Sequence, residues 1–142
     1  MPVREAEAIW EGDLKSGHGA MKLGSSVFEG HYSYETRFAD SPGTNPEELI
    51  GAALAGCFSM AFSKVLEDAG YEPRRILTMA RVHLDRSNGG FAITRINLTT
   101  EVETPLIEHR EFERLANLAK ENCPVSQILQ GVNVELDAML VT

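Results

Sequence analysis

The sequence predicts an α+β fold, and three observations carry the prediction. Strand-like segments fill the first forty residues, one long apolar helix follows, and a hairpin, an amphipathic helix and a last strand complete the chain. Residues 5–10 and 20–23 flank a glycine-rich connection. Tyr32, Tyr34, Thr36 and Phe38 then alternate with Ser33, Glu35 and Arg37 in the period of two that a strand requires, which sets Arg37 on the side away from the aromatic rings. Asp40-Ser41-Pro42-Gly43 reads as a turn.

A helix start follows in Asn45-Pro46-Glu47-Glu48. Asn45 suits the N-cap, Pro46 the first helical position, and Glu48 the third, where it can close a capping-box pair with Asn45. Glu48 therefore has a structural task and Glu47 has none. The helix runs to about Ala69, with Gly70 placed to end it. Its first half, through Phe58, has no polar face, so it is expected to be buried on all sides. Gly51 and Gly56 each lower helix propensity by about 1 kcal/mol against Ala, a loss that close packing on another backbone would offset.

Residues 76–86 and 91–102 read as two strands joined at Ser87-Asn88-Gly89-Gly90, a strong hairpin signal. Residues 108–122 form an amphipathic helix with Phe112, Leu115, Leu118 and Ala119 on one face. Pro124 interrupts it and begins a short further helix through Leu129, and residues 132–141 give the last strand.

A chain of 142 residues suits one domain, spanning 1–142, with a core of its own. No stretch is read as a membrane span, and the acidic start lacks the charge and apolar pattern of a secretory signal, so a soluble cytoplasmic protein is expected. The net charge of −8, with 13 scattered Lys and Arg, argues against nucleic acid as a partner. Four histidines, His18, His31, His83 and His109, are dispersed, and no cofactor or metal is expected.

Chemistry rests on the two cysteines. A cysteine inside an apolar helix such as Cys57 is more often a small buried hydrophobe than a nucleophile. Cys123 differs, because Pro124 places it near the N-cap of the next helix, where free N–H groups favour a thiolate. Cys57 lies too deep in its helix for that help, and burial alone raises its pKa. It needs a cation: a guanidinium about 4 Å away contributes roughly 4 kcal/mol at an effective dielectric of about 20. Arg37 is the candidate by chain order, and Arg4, Arg74, Arg75, Arg81, Arg86, Arg95, Arg110 and Arg114 remain open by spacing alone.

At Thr36-Arg37-Phe38, Gly43 to Leu49, Ala55-Gly56-Cys57-Phe58-Ser59-Met60 and Cys123-Pro124-Val125-Ser126 the sequence resembles the osmotically inducible protein C and organic hydroperoxide resistance family, on its OsmC branch. The resemblance implies two antiparallel β regions around a long central buried helix, in an intertwined homodimer. It implies a peroxidase for organic hydroperoxides in which Cys57 is peroxidatic, Cys123 is resolving, Arg37 activates the thiolate and Glu47 orients Arg37 through a bidentate fork. Dihydrolipoamide or a lipoylated protein is the implied reductant. Glu47 and Cys57 are ten residues apart, about 15 Å along an unbroken helix, so the expected site is shared between subunits. Phe58, Met60, Phe62, Ile128 and Leu129 are candidate apolar walls.

Besides a metal site, which the dispersed histidines disfavour, two rivals accompany this reading. One is a non-catalytic dimer that binds an apolar ligand or acts as a slow thiol redox sensor. The other, a thioredoxin-type oxidoreductase, wants a Cys-x-x-Cys, whereas these cysteines lie 66 positions apart.

Overall fold

Short alternating segments separated by glycine form the first sheet in the computed structural model, which describes residues 1–141. Contacts divide the chain into two units, Met1–Leu49 and the remainder from Ile50. In the first, β1 (Ala6–Glu11), β2 (His18–Leu23) and β3 (Glu29–Tyr32) make an antiparallel sheet in that order. Gly19 lies between the rings of Trp10 and Tyr32, where a β-carbon would come within 2.8 Å of both; glycine there lets the rings meet at 5.4 Å.

The strand expected to run on through Phe38 ends at Tyr32, and Tyr34–Phe38 is instead a single helical turn, α1. The cause is a capping box: Ser33 Oγ accepts from the Thr36 N–H at 3.2 Å, and the Ser33 N–H donates to Thr36 Oγ1 at 2.8 Å. These hydrogen bonds outweigh a period of two that only four alternating residues support. Arg37 accordingly sits in the last turn of a helix and not on a strand face. The unit buries Thr36, Thr44 and Glu47 but no large apolar side chain, while Ile9, Leu14 and Val27 stay exposed.

The long helix α2 spans Pro46–Asp68. Asn45 Oδ1 caps it by accepting from the Glu48 N–H at 2.8 Å. The Glu48 carboxylate does not complete the expected pair with Asn45; it accepts from the Thr44 hydroxyl at 2.7 Å. At the other end Gly70, with φ of 92°, permits the Tyr71 N–H to reach the Leu66 carbonyl and its own N–H to reach that of Glu67. By length and composition α2 is apolar enough to cross a membrane, contrary to the reading that no stretch is. It serves as the core helix of its unit, with Leu54, Phe58, Phe62, Val65 and Leu66 buried. It is not buried on all sides, because Ala52, Ala53, Gly56 and Met60 form an exposed stripe.

β4 (Arg75–Ser87) and β5 (Gly90–Glu103) form the expected hairpin, closed at Asn88 and Gly89, both with positive φ as a two-residue I′ turn demands. α3 (His109–Asn122) and α4 (Pro124–Ile128) lead to β6 (Asn133–Leu140). This second sheet, ordered β4-β5-β6, is mixed and not wholly antiparallel: β6 runs parallel to β5, because the two helices supply the crossover that a parallel return requires.

Alternate residues Ile96, Leu98, Thr100 and Val102 of β5 face the core and are buried. Gly51 allows α2 close to β4: a β-carbon there would stand 3.3 Å from Val82 Cγ2, a tight contact. A thread of hydroxyls, Ser59 to Thr78 at 2.7 Å and Thr78 to Thr100 at 3.0 Å, satisfies the one polar residue of the β5 face. Phe62 stands between Phe58 and Phe112, at 5.6 and 5.5 Å between ring centres. Phe62→Ala is expected to destabilise the protein by about 3–5 kcal/mol, read by urea unfolding; a loss below about 1 kcal/mol would show that this ring is not the centre of the core.

Candidate active site

Arg37 and Glu47 meet where α1 ends and α2 begins. Arg37 Nε donates to Glu47 Oε1 at 2.8 Å, and the Glu47 side chain is 8% exposed against 40% for Arg37. The contact is a single hydrogen bond and not the expected bidentate fork. Glu47 Oε2 is buried with no partner, and the two terminal nitrogens of the guanidinium have no acceptor among the described residues. An anion can therefore approach Arg37 without breaking the existing pair. The guanidinium carbon also stands 5.1 Å from the centre of the Phe38 ring. Beside it opens a cavity of about 230 Å³ walled by Trp10, Leu14, Tyr32, Tyr34 and Phe38. The sequence did not reveal this aromatic lining, because Tyr32, Tyr34 and Phe38 were read as one strand face.

Cys57 projects from the middle of α2 and is partly exposed. Cys123 is fully buried at the joint of two helices: its N–H donates to the Ala119 carbonyl, ending α3, and its carbonyl accepts from Gln127 at 3.0 Å, starting α4. Pro124 makes that joint obligatory, since it has no N–H with which to continue α3. Both cysteines are free thiols, and their side chains lie near enough for each to influence the ionisation of the other. Folding thus brings together the two cysteines that the sequence keeps far apart.

Their environments push the two thiols in opposite directions. Burial raises the Cys57 pKa above its ordinary value and the neighbouring Cys123 raises it further, while the Val125 backbone opposes both. Burial also acts upward on Cys123, yet Cys57, the Ser126 N–H and hydroxyl and the Val125 backbone outweigh it, and its pKa is lowered. The Ser126 hydroxyl is buried and makes no hydrogen bond in this structure, yet it lies close enough to the Cys123 sulfur to favour its thiolate. No cation figures among the main influences on Cys57. In the sequence Ser126 stands out only as a neighbour of Cys123; the burial of its hydroxyl is what marks it.

A cavity of about 570 Å³ opens at Cys57 between Met60, Ala61, Lys64, Asn122 and Pro124. Of the expected apolar walls only Met60 lines it. Phe58 and Phe62 are wholly buried core, and Ile128 and Leu129 lie elsewhere on the α4 segment, because one helical turn carries their side chains away from Cys123. Among the described residues, no three His, Cys, Asp or Glu side chains converge as a metal site would need.

Comparison with known proteins shows the family and the fold. The family model described as OsmC-like protein matches residues 39–137, a span that holds Glu47, Cys57 and Cys123 and begins just after Arg37. The chain is 47% identical over 138 residues to Peroxiredoxin OsmC of Escherichia coli, covering 96% of each protein. It is 35% identical over 97 residues to the organic hydroperoxide resistance protein OhrB of Bacillus subtilis, covering 67% of this chain and 69% of that protein. The crystal structure of OhrB superposes with a TM-score of 0.68 at 28% identity, covering 96% of this chain and 98% of that one. An OsmC-like protein from Mycoplasma pneumoniae, at 16% identity, shares the fold with a TM-score of 0.76 over 99% of each chain. This chain belongs to the OsmC-like family.

Proposed function

We propose that this protein is a cysteine-based peroxidase that reduces organic hydroperoxides to alcohols, with Cys57 as the peroxidatic and Cys123 as the resolving residue. The observation that carries the reading is the closeness of the two thiols, each of which acts on the ionisation of the other. Relatives named peroxiredoxin and organic hydroperoxide resistance protein support it. In the first step the Cys57 thiolate attacks the outer peroxide oxygen, the O–O bond breaks, and the alkoxide takes a proton and leaves as alcohol. Cys57 is then a sulfenic acid. The Cys123 thiolate attacks its sulfur, hydroxide leaves as water, and a disulfide results. A dithiol, dihydrolipoamide or a lipoylated protein, returns both cysteines to thiols.

The first step needs a thiolate at Cys57, and its surroundings within the chain oppose one. Arg37 has unengaged donors that can stabilise both the thiolate and the charge that develops on the peroxide oxygens. Glu47, which fixes Arg37, lies on the same unbroken helix as Cys57 with ten residues between them, about 15 Å of rise. The pair therefore serves the Cys57 of a second copy, and the active protein is a homodimer.

Two further observations support this. The exposed stripe Ala52, Ala53, Gly56 and Met60 is apolar, and at Gly56 a β-carbon would meet nothing within 4 Å. The first unit, which buries no large apolar side chain, has exposed apolar residues to cover. The two units then act as one functional domain within the dimer. The aromatic cavity beside Arg37 suits the organic group of the substrate and gives it an advantage over hydrogen peroxide. A cytoplasmic location fits two cysteines that act as thiols.

With cumene hydroperoxide and dihydrolipoamide, Cys57→Ser is expected to lose all turnover, whereas Cys123→Ser reacts once and stalls. Arg37→Gln should slow Cys57 oxidation by about a hundredfold. A wild-type protein no faster than a free thiol would sink the catalytic reading in favour of an apolar-ligand binder.

A monomeric variant such as Ala52→Arg, on the exposed stripe, leaves Cys57 with burial and Cys123 as its main influences, both raising the pKa. Less thiolate is then present at neutral pH, so the pH–rate profile of Cys57 oxidation should move upward. The added arginine would itself act in the opposite direction, so an upward shift cannot come from its charge. A monomer with full activity at neutral pH would exclude the shared site.

Ser126→Ala removes a donor to the Cys123 thiolate and should raise that pKa, read from the ultraviolet absorbance of the thiolate in a Cys57→Ser background; an unmoved titration would show that the hydroxyl serves another group.

A further inference from the structure

The contact between Arg37 and Glu47 is weakly constrained by itself. One hydrogen bond joins them, Glu47 Oε2 has no partner to fix the carboxylate, and Arg37 rides on a helix of five residues. A helix this short does not hold its shape alone. Something else must set the two side chains against each other.

We infer that Asn45 is the positioning residue for Arg37, through a carboxamide that ties the end of α1 to the start of α2. Asn45 Nδ2 donates to the Thr36 carbonyl at 3.2 Å, and Asn45 Oδ1 accepts from the Glu48 N–H at 2.8 Å. Thr36 immediately precedes Arg37, and Glu48 immediately follows Glu47. The bridge is therefore anchored one residue from each member of the ion pair. Only this orientation of the amide satisfies both partners, since its nitrogen donates and its oxygen accepts.

The surroundings hold the bridge in turn. Thr36 is buried and fixed to Ser33 by the capping box, so the carbonyl that Asn45 grips belongs to a rigid turn. The Thr44 N–H donates to the His31 carbonyl at 2.9 Å, which brings the loop back beside β3 just before Asn45. Gly43 permits that return: its φ is 140°, and a β-carbon there would stand 2.8 Å from the His31 carbonyl oxygen and 2.7 Å from Thr36 Cγ2. Asparagine is suited to the position because it offers a donor and an acceptor at one length. Aspartate offers two acceptors and serine one short hydroxyl.

The inference rests on the role proposed above for Arg37, and its test separates the two. Aspartate caps a helix about as well as asparagine. Asn45→Asp thus keeps the α2 cap while setting a carboxylate oxygen against the Thr36 carbonyl. The rate of Cys57 oxidation by cumene hydroperoxide is measured in single turnover for wild type, Asn45→Asp, Arg37→Gln and the double variant, with thermal melting of each.

We expect Asn45→Asp to melt close to wild type and to react about tenfold more slowly, a displaced group losing that much or more. In the Arg37→Gln background the same change should alter the rate by less than about twofold, because the two residues act as one unit. Equal rates for wild type and Asn45→Asp, or an equal slowing in both backgrounds, would overturn the inference and leave the Arg37 role standing. An Arg37→Gln protein as fast as wild type would overturn that role, and this inference with it. Should Asn45→Asp fail to fold, Asn45→Ser, which caps but is too short to span both partners, is read by the same criteria.

Discussion

The stiffness of α2 is the constraint around which the rest of the chemistry is arranged. A helix of 23 residues holds its side chains at fixed intervals, so whatever stands at its first turn can never come to its middle. Cys57 is about three turns from the N-terminus, beyond the reach of the helix dipole, and the apolar residues that make the helix a core element also make a charge there costly. Every influence that lowers its pKa must come from another element or another chain. Cys123 is one neighbour, but it acts upward. The proposed reading adds a cation, Arg37, whose partner Glu47 stands in the first turn of the same helix.

The first unit is built on polar contacts where the second relies on packing. In the second, Phe58, Phe62 and Phe112 stack between α2, α3 and the mixed sheet, and burial of that area supplies most of the stability. In the first, the buried residues are Thr36, Thr44 and Glu47, and what fixes the chain is a sequence of hydrogen bonds from Ser33 to Thr36, Thr36 to Asn45, and Thr44 to both His31 and Glu48. Hydrogen bonds depend on direction in a way that apolar contact does not. A side chain such as Arg37, which must present particular nitrogens to an anion, is better aimed by the first kind of construction than by the second.

What could be read from the sequence follows from how local each determinant is. The hairpin at Asn88-Gly89, the α2 cap at Asn45 and its stop at Gly70 each depend on residues within one or two turns, and each was legible. The α1 turn is equally local but was hidden, because Ser33 and Thr36 satisfy a capping box while Tyr32, Tyr34 and Phe38 imitate a strand; hydrogen bonds decided, and the alternation was coincidence. The parallel setting of β6 was not legible, since strand direction depends on a crossover and not on strand residues. Likewise the family motifs singled out Cys57 and Cys123, but their closeness and the buried Ser126 hydroxyl arise only when α3 and α4 bring residues 123–126 against α2.

The opposed shifts of the two thiols also bear on the order of events in the proposed cycle. Within one chain the surroundings favour ionisation of Cys123, through Ser126 and the backbone of Val125 and Ser126, over that of Cys57. A guanidinium beside Cys57 reverses that preference, and the closeness of the thiols lets the proton cross to Cys123. Once Cys57 has become a sulfenic acid the competition for charge is gone. Cys123 then gives up its proton, which leaves with the departing hydroxide as water, and its thiolate, held by the same donors, becomes the nucleophile for the second step. In the proposed cycle one pair thus supplies two thiolates in succession, because each cysteine has its own stabilising partners and the reaction itself decides which set is in use.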